Sequence, residues 1–289
     1  MTNCPLCGGT AQRRFERHGY FIRDCNACGH RFAELTPSAD HVRDTYGDAY
    51  FNEGGAGYSG YLKEGPMLRD YGRWYAGLSA RYMQPGRVLD VGCAAGFWLA
   101  GFCERGWQPQ GIEPNATMAA FARAELGLTI RTASFEEVDS AEPLGLVSLV
   151  AMIQVIPHFR DPRRAITLAH SLLAADGYLL LETWDREHWI SRMLGARWQE
   201  YSPPSVLHWF SRASLRRLGE ECGFEFVAAG KPRKRISLEH ARELLRHKYT
   251  NPLMRAAVAA ITGSLPDAAS LPYPGGDVFW MLLRKSTAP

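Results

Sequence analysis

Residues 87–97 read R-V-L-D-V-G-C-A-A-G-F, and this stretch decides the fold. Its first part, 87–91, predicts a short buried strand. Gly92 and Gly96 then let the backbone turn sharply and let a ligand approach it closely. A helix is predicted at 97–105, and a helix N-terminus presents free N–H groups with a partial positive charge. The stretch therefore predicts a ligand-binding loop at the carboxyl end of a strand.

Strands and helices alternate from residue 87 onward. Strands are predicted at 87–91, 110–113, 129–133, 147–156 and 177–183, and helices at 97–105, 116–126 and 162–174. Alternation at this spacing indicates βαβ units, which build a parallel sheet covered by helices on both faces. In such sheets ligands bind at the carboxyl ends of the strands.

An acid stands at the end of the second predicted strand. Glu113 lies in G-I-E-P-N, 23 residues after Asp90, and a carboxylate there accepts hydrogen bonds from both hydroxyls of a ribose. Asp90 can accept hydrogen bonds within the loop or from the ligand. Loop and acid together predict a nucleoside site. A nicotinamide dinucleotide enzyme fits less well, because the loop reads G-C-A-A-G and not G-x-G-x-x-G.

These motifs occur in order with V-I-P-H-F-R-D-P and L-L-A-A-D-G-Y-L-L-L-E-T, and the series resembles that of class I S-adenosylmethionine-dependent methyltransferases. The resemblance covers residues 46–285 and is specific for the superfamily but not for a substrate. It implies an α/β fold, a Rossmann-like seven-stranded sheet with helices on both faces. The last two strands would be 224–230 and 277–284, with 231–276 as an insertion that carries the basic run K-P-R-K-R at 231–235.

The resemblance also implies S-adenosyl-L-methionine as cofactor and assigns its binding residues: Asp90, Gly92, Cys93, Ala94, Gly96, Phe97, Glu113, Pro114, Ser134, Phe135, Ile153, Gln154 and Val155. Two positions depart from the usual pattern. Ala94 replaces the middle glycine of the loop, a change that a small side chain should tolerate. Ala133 and Ser134 stand where an acid often contacts the adenine, so that contact would depend on backbone groups and Phe135.

Methyl transfer is an in-line displacement, and a base is needed only if the acceptor must lose a proton. His158, just past the predicted fourth strand, is the leading candidate, and His208 is the second. A packing or hydrogen-bonding role explains either histidine equally well. Gln154 and Pro157 stand where metal-dependent relatives carry acids, so no catalytic metal is predicted.

Four of the seven cysteines lie within the first 28 residues. They form two C-x-x-C pairs that are separated by 17 residues, a spacing typical of a four-cysteine zinc site: Cys4, Cys7, Cys25 and Cys28. We expect a structural zinc ribbon at residues 1–35, because four protein ligands leave zinc no open position for catalysis. Unrelated cysteines or a redox pair are the alternatives. Cys93, Cys103 and Cys222 are predicted to be core thiols.

Composition limits the class of protein. The chain has 289 residues, is 46% hydrophobic and carries a net charge of +3, which excludes a mainly disordered chain and argues against a dedicated nucleic-acid coat. No signal peptide opens it, and no apolar run is long enough to span a membrane, so a cytoplasmic protein with reduced thiols is expected. Residues 36–86 are rich in aromatics and predict a helical cap or linker before the main domain at 87–289.

The function expected from these features is methyl transfer to a small molecule, such as a natural-product, sugar or lipid-like metabolite. Two alternatives stay open. One is an rRNA base methyltransferase that uses the ribbon to recognise RNA. The other is a non-catalytic zinc-ribbon adaptor with a degenerate cofactor fold. Nucleic acid is the less favoured partner, no membrane partner is expected, and a homodimer is left open.

Overall fold

A computed structural model describes residues 3–38, 40–52, 61–138, 145–233, 235–237, 270–273 and 276–286. For the insertion at 231–276 the sequence also predicts two helices, at 238–249 and 254–261, and both lie outside the described residues. Within them the strands are β1 (Ala11–Arg17), β2 (Tyr20–Cys25), β3 (Arg31–Ala33), β4 (Arg87–Val91), β5 (Gln108–Glu113), β6 (Thr129–Thr132), β7 (Val147–Ile153), β8 (Leu173–Trp184), β9 (His208–Trp209), β10 (Phe224–Gly230), β11 (Arg235–Ser237), β12 (Ser270–Pro272) and β13 (Val278–Lys285).

The helices of the same residues are α1 (His41–Thr45), α2 (Asp48–Asn52), α3 (Gly65–Ser79), α4 (Phe97–Cys103), α5 (Ala116–Leu126), α6 (Pro162–Leu172), α7 (Trp189–Leu194) and α8 (Arg212–Glu221). Four short 3-10 turns accompany them, at Tyr61–Glu64, Phe135–Glu137, Ile156–His158 and Gly195–Arg197. No described helix is long and apolar enough to cross a membrane.

The central sheet has seven strands in the order β10-β13-β8-β7-β4-β5-β6. β13 is antiparallel to both its neighbours, and the other six strands run in one direction. This confirms the predicted Rossmann-like sheet. The strand order reverses at β4, which lies between β5 and β7, and the crevice at such a reversal is where ligands bind in open α/β sheets.

Successive residues of the central strands enter two different hydrophobic clusters, one on each face of the sheet. Leu179 and Leu181 of β8 pack in the cluster that contains Ile166 of α6, whereas Leu180 packs in the cluster that contains Trp98 of α4. Because side chains of a strand alternate between faces, this partition requires helices on both sides. The prediction of a sheet covered on both faces is confirmed.

Two glycines let α3 lie directly against α4. A Cβ at Gly72 would stand 1.9 Å from the carbonyl oxygen of Trp98, and one at Gly101 would stand 2.3 Å from the carbonyl oxygen of Arg69. The two backbones are therefore in contact, with no room for a methyl group on either side. This contact fixes α3, which carries cap residues, against the helix that follows the glycine loop.

We predict that Gly72→Ala destabilises the protein by about 1–3 kcal/mol, since the helices must move apart to admit the methyl group. Gly77 is the matched control, because it lies on the same helix with open space around its Cα. Gly77→Ala should be neutral or stabilising by up to about 1 kcal/mol, the gain expected from helix propensity. Urea denaturation checks both variants, and equal stability of the two would contradict the close packing.

The N-terminal ribbon forms a second sheet, in the order β1-β2-β3-β9. Its fourth strand, β9, comes from the segment between α7 and α8, and pairs Arg31 with Trp209 and Phe32 with His208. The predicted division at residue 35 stays a prediction, but the ribbon sheet itself continues into the larger part of the chain. The two-residue β9 has no signal of its own in the sequence.

Candidate functional site

The register of the parallel strands brings the predicted site residues to one edge of the sheet. Asp90 lies beside Gly111 of β5 and Ala151 of β7, and Ile153 lies beside Glu182 of β8. Because parallel strands end at the same edge, the loop after β4 and the ends of β5, β7 and β8 surround one crevice.

The loop after β4 uses three residues in the left-handed backbone region. The φ angles are +71° at Gly92, +46° at Ala94 and +75° at Gly96. A Cβ at Gly92 would stand 2.8 Å from Cγ2 of Val155, and one at Gly96 would stand 2.6 Å from Cδ1 of Leu128. These two positions need glycine for conformation and for space, whereas Ala94 takes the same backbone region at a cost of about 1–2 kcal/mol.

Glu113 holds the loop together. Its Oε2 accepts from the backbone N–H of Ala94 at 2.7 Å, and its Oε1 accepts from the N–H of Asn115 at 2.8 Å. Burial raises the pKa of Glu113 to about 7, although these two hydrogen bonds act to lower it. Burial, and then the charge of Glu113, raise the pKa of Asp90. Two buried carboxyl groups thus lie at the same edge of the sheet. A ligand that donates hydrogen bonds to them would stabilise their ionised forms.

The other predicted cofactor residues fall into two groups. Ile153, Gln154 and Val155 are partly exposed at the end of β7. Buried positions make up the second group, Cys93, Phe97, Ser134 and Phe135. The Phe135 ring lies 6.0 Å from that of Phe159 inside the core. Contact of these residues and of Pro114 with a cofactor stays a prediction.

His158 stands in the short turn after β7, with its Nδ1 fixed by neighbours. Nδ1 lies 2.7 Å from the carbonyl oxygen of Ser205 and 2.9 Å from the hydroxyl of Tyr46, which itself donates to the same carbonyl at 2.6 Å. A carbonyl oxygen only accepts, so Nδ1 carries the proton and Nε2 keeps its lone pair. Burial lowers the pKa of His158 from its ordinary value of 6.5. The ring is therefore a neutral imidazole, although hydrogen bonding to the backbone carbonyls of Ser205 and Gln154 acts to raise its pKa.

Tyr46 links the two sides of the crevice. The amide of Asn115, next to the Glu113 turn, donates to the Tyr46 backbone carbonyl at 3.1 Å. The Tyr46 ring meets the His158 ring edge-on at 5.6 Å, and Trp184 meets His158 in the same way at 6.2 Å. The segment that joins α1 to α2 thus crosses from β5 to β7, and aromatic rings line the region beside the imidazole.

His208, the second predicted base, occupies a different place. It lies on β9 under the ribbon, with only 3% of its surface exposed, and its Nδ1 is 3.0 Å from Nε2 of His30. Burial lowers the pKa of His208 to about 4. The structure therefore gives His208 a packing and hydrogen-bonding position between the ribbon and the larger part of the chain, which leaves His158 as the candidate base.

Glu182 is a buried carboxylate at the end of β8. The hydroxyls of Tyr71 and Tyr75 donate to it from α3, and the Gln154 amide donates at 2.9 Å. Sequence reasoning treated the two tyrosines as cap or packing residues and missed these bonds. The available signal was an acid within the apolar run L-L-L-E-T-W, because a buried carboxylate requires hydrogen-bond donors.

The four N-terminal cysteines meet at one point. Their Sγ atoms all lie within 4.8 Å of one another, with Cys4 and Cys28 3.5 Å apart and Cys7 and Cys25 3.4 Å apart. Tetrahedral zinc with Zn–S bonds of about 2.3 Å needs sulfur atoms about 3.8 Å apart, so the set fits zinc. Ligation needs thiolates.

Hydrogen bonds to one of these thiols favour the charged form. Burial acts to raise the pKa of Cys25, but the backbone N–H of Cys28 and the thiol of Cys7 bring it down to about 7. Among the remaining cysteines, Cys93 is buried as predicted. Cys103 is exposed, so the prediction of a core thiol is wrong there: it ends α4, whose six preceding residues are buried.

We predict that the purified protein binds one Zn²⁺ and that Cys25→Ser lowers the metal content to below a tenth of that value, because three thiolates hold zinc far more weakly than four. Cys103→Ser is the control, since that thiol is exposed and outside the cluster. Metal content by mass spectrometry decides the matter. A wild-type protein that binds no zinc, even when zinc is supplied in excess, would contradict the site.

The sheet order, the glycine loop and the acid that ends β5 are those of an α/β protein of the Rossmann-like class. A family model described as a methyltransferase domain matches residues 62–229, more than half of the chain. The chain belongs to this methyltransferase family.

Known proteins resemble it in part. A ubiquinone biosynthesis O-methyltransferase of Rhodopseudomonas palustris is 31% identical over 133 residues, which are 44% of this chain and 49% of the relative. The chain thus spans about half the length of the curated relatives it matches.

Solved structures show the same fold at lower identity. A putative methyltransferase in complex with the Haloferax volcanii Trm112 methyltransferase activator has a TM-score of 0.55 at 16% identity, covering 79% of this chain and 96% of that chain. A SAM-dependent methyltransferase of Archaeoglobus fulgidus has a TM-score of 0.52 at 17% identity, covering 78% and 99%. At these identities the likeness concerns the fold alone.

Proposed function

We propose that this protein transfers the methyl group of S-adenosylmethionine to a hydroxyl group of a small molecule. The observation that carries the proposal is the His158 imidazole, held as the Nδ1–H tautomer beside a crevice with the features of a nucleoside site. A poised neutral base suits an acceptor that must lose a proton, and a hydroxyl is such an acceptor. The curated relative named as an O-methyltransferase supports the same chemistry.

Residues of the loop and of the next two strand ends would hold the cofactor. When bound, S-adenosylmethionine supplies a methyl group on a positively charged sulfur. Glu113 would accept hydrogen bonds from the ribose hydroxyls, since each of its oxygens has a lone pair left beside its backbone donor. Gly92 and Gly96 would let the backbone approach the ligand, and Gln154 and Val155 would border it from β7.

His158 would act on the acceptor. Its Nε2 takes the hydroxyl proton, while the carbonyl of Ser205 holds the Nδ1–H and keeps the ring in place. Tyr46 and Trp184 are positioned to contact a planar acceptor, because their rings flank the imidazole. Positioning of the acceptor oxygen supplies much of the rate in such a displacement.

The small-molecule class is preferred over RNA for a structural reason. One edge of the ribbon, β3, is paired with β9 and is therefore closed to RNA, whereas the outer strand β1 is largely exposed. The net charge of +3 supports the same choice. A natural-product, sugar or lipid-like metabolite is the acceptor we propose, with phenols first in the order of testing.

Cofactor affinity should depend on the ionisation of Glu113. Its pKa of about 7 predicts that S-adenosylhomocysteine binds best above pH 7 and progressively more weakly below, because the protonated carboxyl accepts fewer hydrogen bonds. Glu113→Gln should weaken binding about 10–100-fold, the loss of one or two charge-assisted bonds, and should flatten this pH dependence. Calorimetry between about pH 5.5 and 8.5, a window centred on that pKa, tests both points. Glu125→Gln, an exposed site on α5, is the control.

His158→Gln should lower kcat about 100-fold or more, as expected for loss of a general base, and leave S-adenosylhomocysteine affinity unchanged. Burial lowers the pKa of His158, so kcat of the wild type at saturating S-adenosylmethionine should fall with acid only below pH 6.5, where the imidazole becomes protonated. That acid limb should disappear in the variant.

The assay measures S-adenosylhomocysteine release with a panel of phenols, sugars and total RNA. His18→Asn, at an exposed histidine in the β1–β2 turn, should behave as wild type. Turnover of RNA alone, or an acid limb that survives in His158→Gln, would count against the proposal.

A further inference from the structure

One short segment, residues 205–209, contacts both the ribbon and the candidate base. We propose that the N-terminal ribbon is a positioning module for His158, acting through this segment, and that metal binding by its cysteines controls the order of the acceptor side of the site. The inference rests on the proposed role of His158 and goes beyond it, because it assigns a function in the reaction to the ribbon.

The segment is attached to the ribbon by backbone pairing. Phe32 pairs with His208 and Arg31 with Trp209, and the N–H of Ala33 donates to the carbonyl of Leu207 at 2.9 Å. We call this pairing the β3–β9 seam. The pairing thereby places His208 and Trp209, which lie in neither a helix nor a long strand, in the sheet of the ribbon.

The same segment holds His158 on its other side. The N–H of Leu207 donates to the carbonyl of Pro157 at 3.0 Å, one residue before the histidine. The carbonyl of Ser205 accepts the Nδ1–H of His158 at 2.7 Å. Both the backbone beside the base and its ring orientation therefore depend on residues 205–207, which the ribbon holds from the opposite side.

The seam is dry. His30 is fully buried, and its ring stacks near His208 and Phe210 at centroid distances of 5.2 and 5.0 Å. Backbone groups that part in such surroundings have no water to replace their partners, so separation is costly. We therefore expect the seam and the ribbon to be ordered together and to lose their order together.

Three arginines outside the ribbon bond to its cysteine turns. Arg186 donates to the carbonyl of Gly29 at 2.7 Å and Arg217 to that of Cys28 at 3.1 Å. On the other turn, Arg163 donates to the carbonyl of Leu6. A ribbon of this size has too small a core to keep these turns closed alone, so bound metal would keep the acceptor carbonyls in place.

Hydrogen exchange on the full-length protein tests the coupling directly. Zinc is removed with a chelator and then restored, and amide exchange is followed in peptides that cover 205–209 and in β4 and β5. We expect at least tenfold faster exchange at 205–209 without zinc and recovery on re-addition. S-adenosylhomocysteine affinity should change less than twofold, because Glu113 bonds to the glycine loop and to the start of α5 rather than to the ribbon.

A variant with intact cysteines separates the seam from the metal itself. The double variant Arg186→Met with Arg217→Met should keep its zinc, exchange faster at 205–209, and lower kcat with little change in the KM for S-adenosylmethionine. Arg14→Met is the control, since Arg14 lies on β1, bonds only within the ribbon to Asp24, and is half exposed. It should match wild type in every measurement.

Unchanged exchange at 205–209 in zinc-free protein would overturn the inference. Loss of cofactor binding together with faster exchange at the seam would also overturn it, because the ribbon would then support the whole fold. These readouts do not depend on methyl transfer. Faster exchange at 205–209 in a protein that methylates none of the acceptors would uphold the coupling and contradict the proposed function instead.

Discussion

The carboxylate of Glu113 is the interaction on which the rest of the site depends. It joins the loop after β4 to the turn that starts α5, through the N–H groups of Ala94 and Asn115. Asn115 in turn caps α5 by accepting from Met118 N–H at 2.8 Å, and its amide donates to Tyr46 and Asp48 of the cap. The Glu113 carboxylate thereby fixes the loop after β4, the start of α5 and the cap residues relative to one another.

Burying the Glu113 carboxylate costs free energy. Its pKa of about 7 means that burial opposes its charge even with two backbone donors present. Asp90 faces the same penalty beside it. A fold selected for stability alone would not place two carboxyl groups in one dry edge, so the arrangement is best explained by a ligand whose hydrogen-bond donors complete it.

The sequence predicts two parts of the molecule well: the central sheet, whose strands recur at regular spacing, and the metal cluster, which requires cysteines. The sheet follows from apolar strands at regular spacing, and the metal cluster follows from paired cysteines, because both signals are local. The Tyr46–His158–Ser205 contacts are not predictable in this way, since they join residues 47 and 112 positions apart in the chain. The contact of Phe135 with the adenine stays a prediction, because its ring also packs against that of Phe159 and local sequence does not separate a core role from a binding role.

The partner of His158 bears on the kind of acceptor. A carbonyl oxygen fixes the imidazole tautomer but brings no negative charge to stabilise the imidazolium, unlike a carboxylate partner. With burial also lowering its pKa, His158 is a weak base. A weak base removes protons efficiently only from acidic hydroxyls, and a phenol, with a pKa of about 10, is far more acidic than an alkyl alcohol. We therefore propose a phenol rather than a sugar hydroxyl as the acceptor, and the aromatic rings of Tyr46 and Trp184 beside the base suit the same choice.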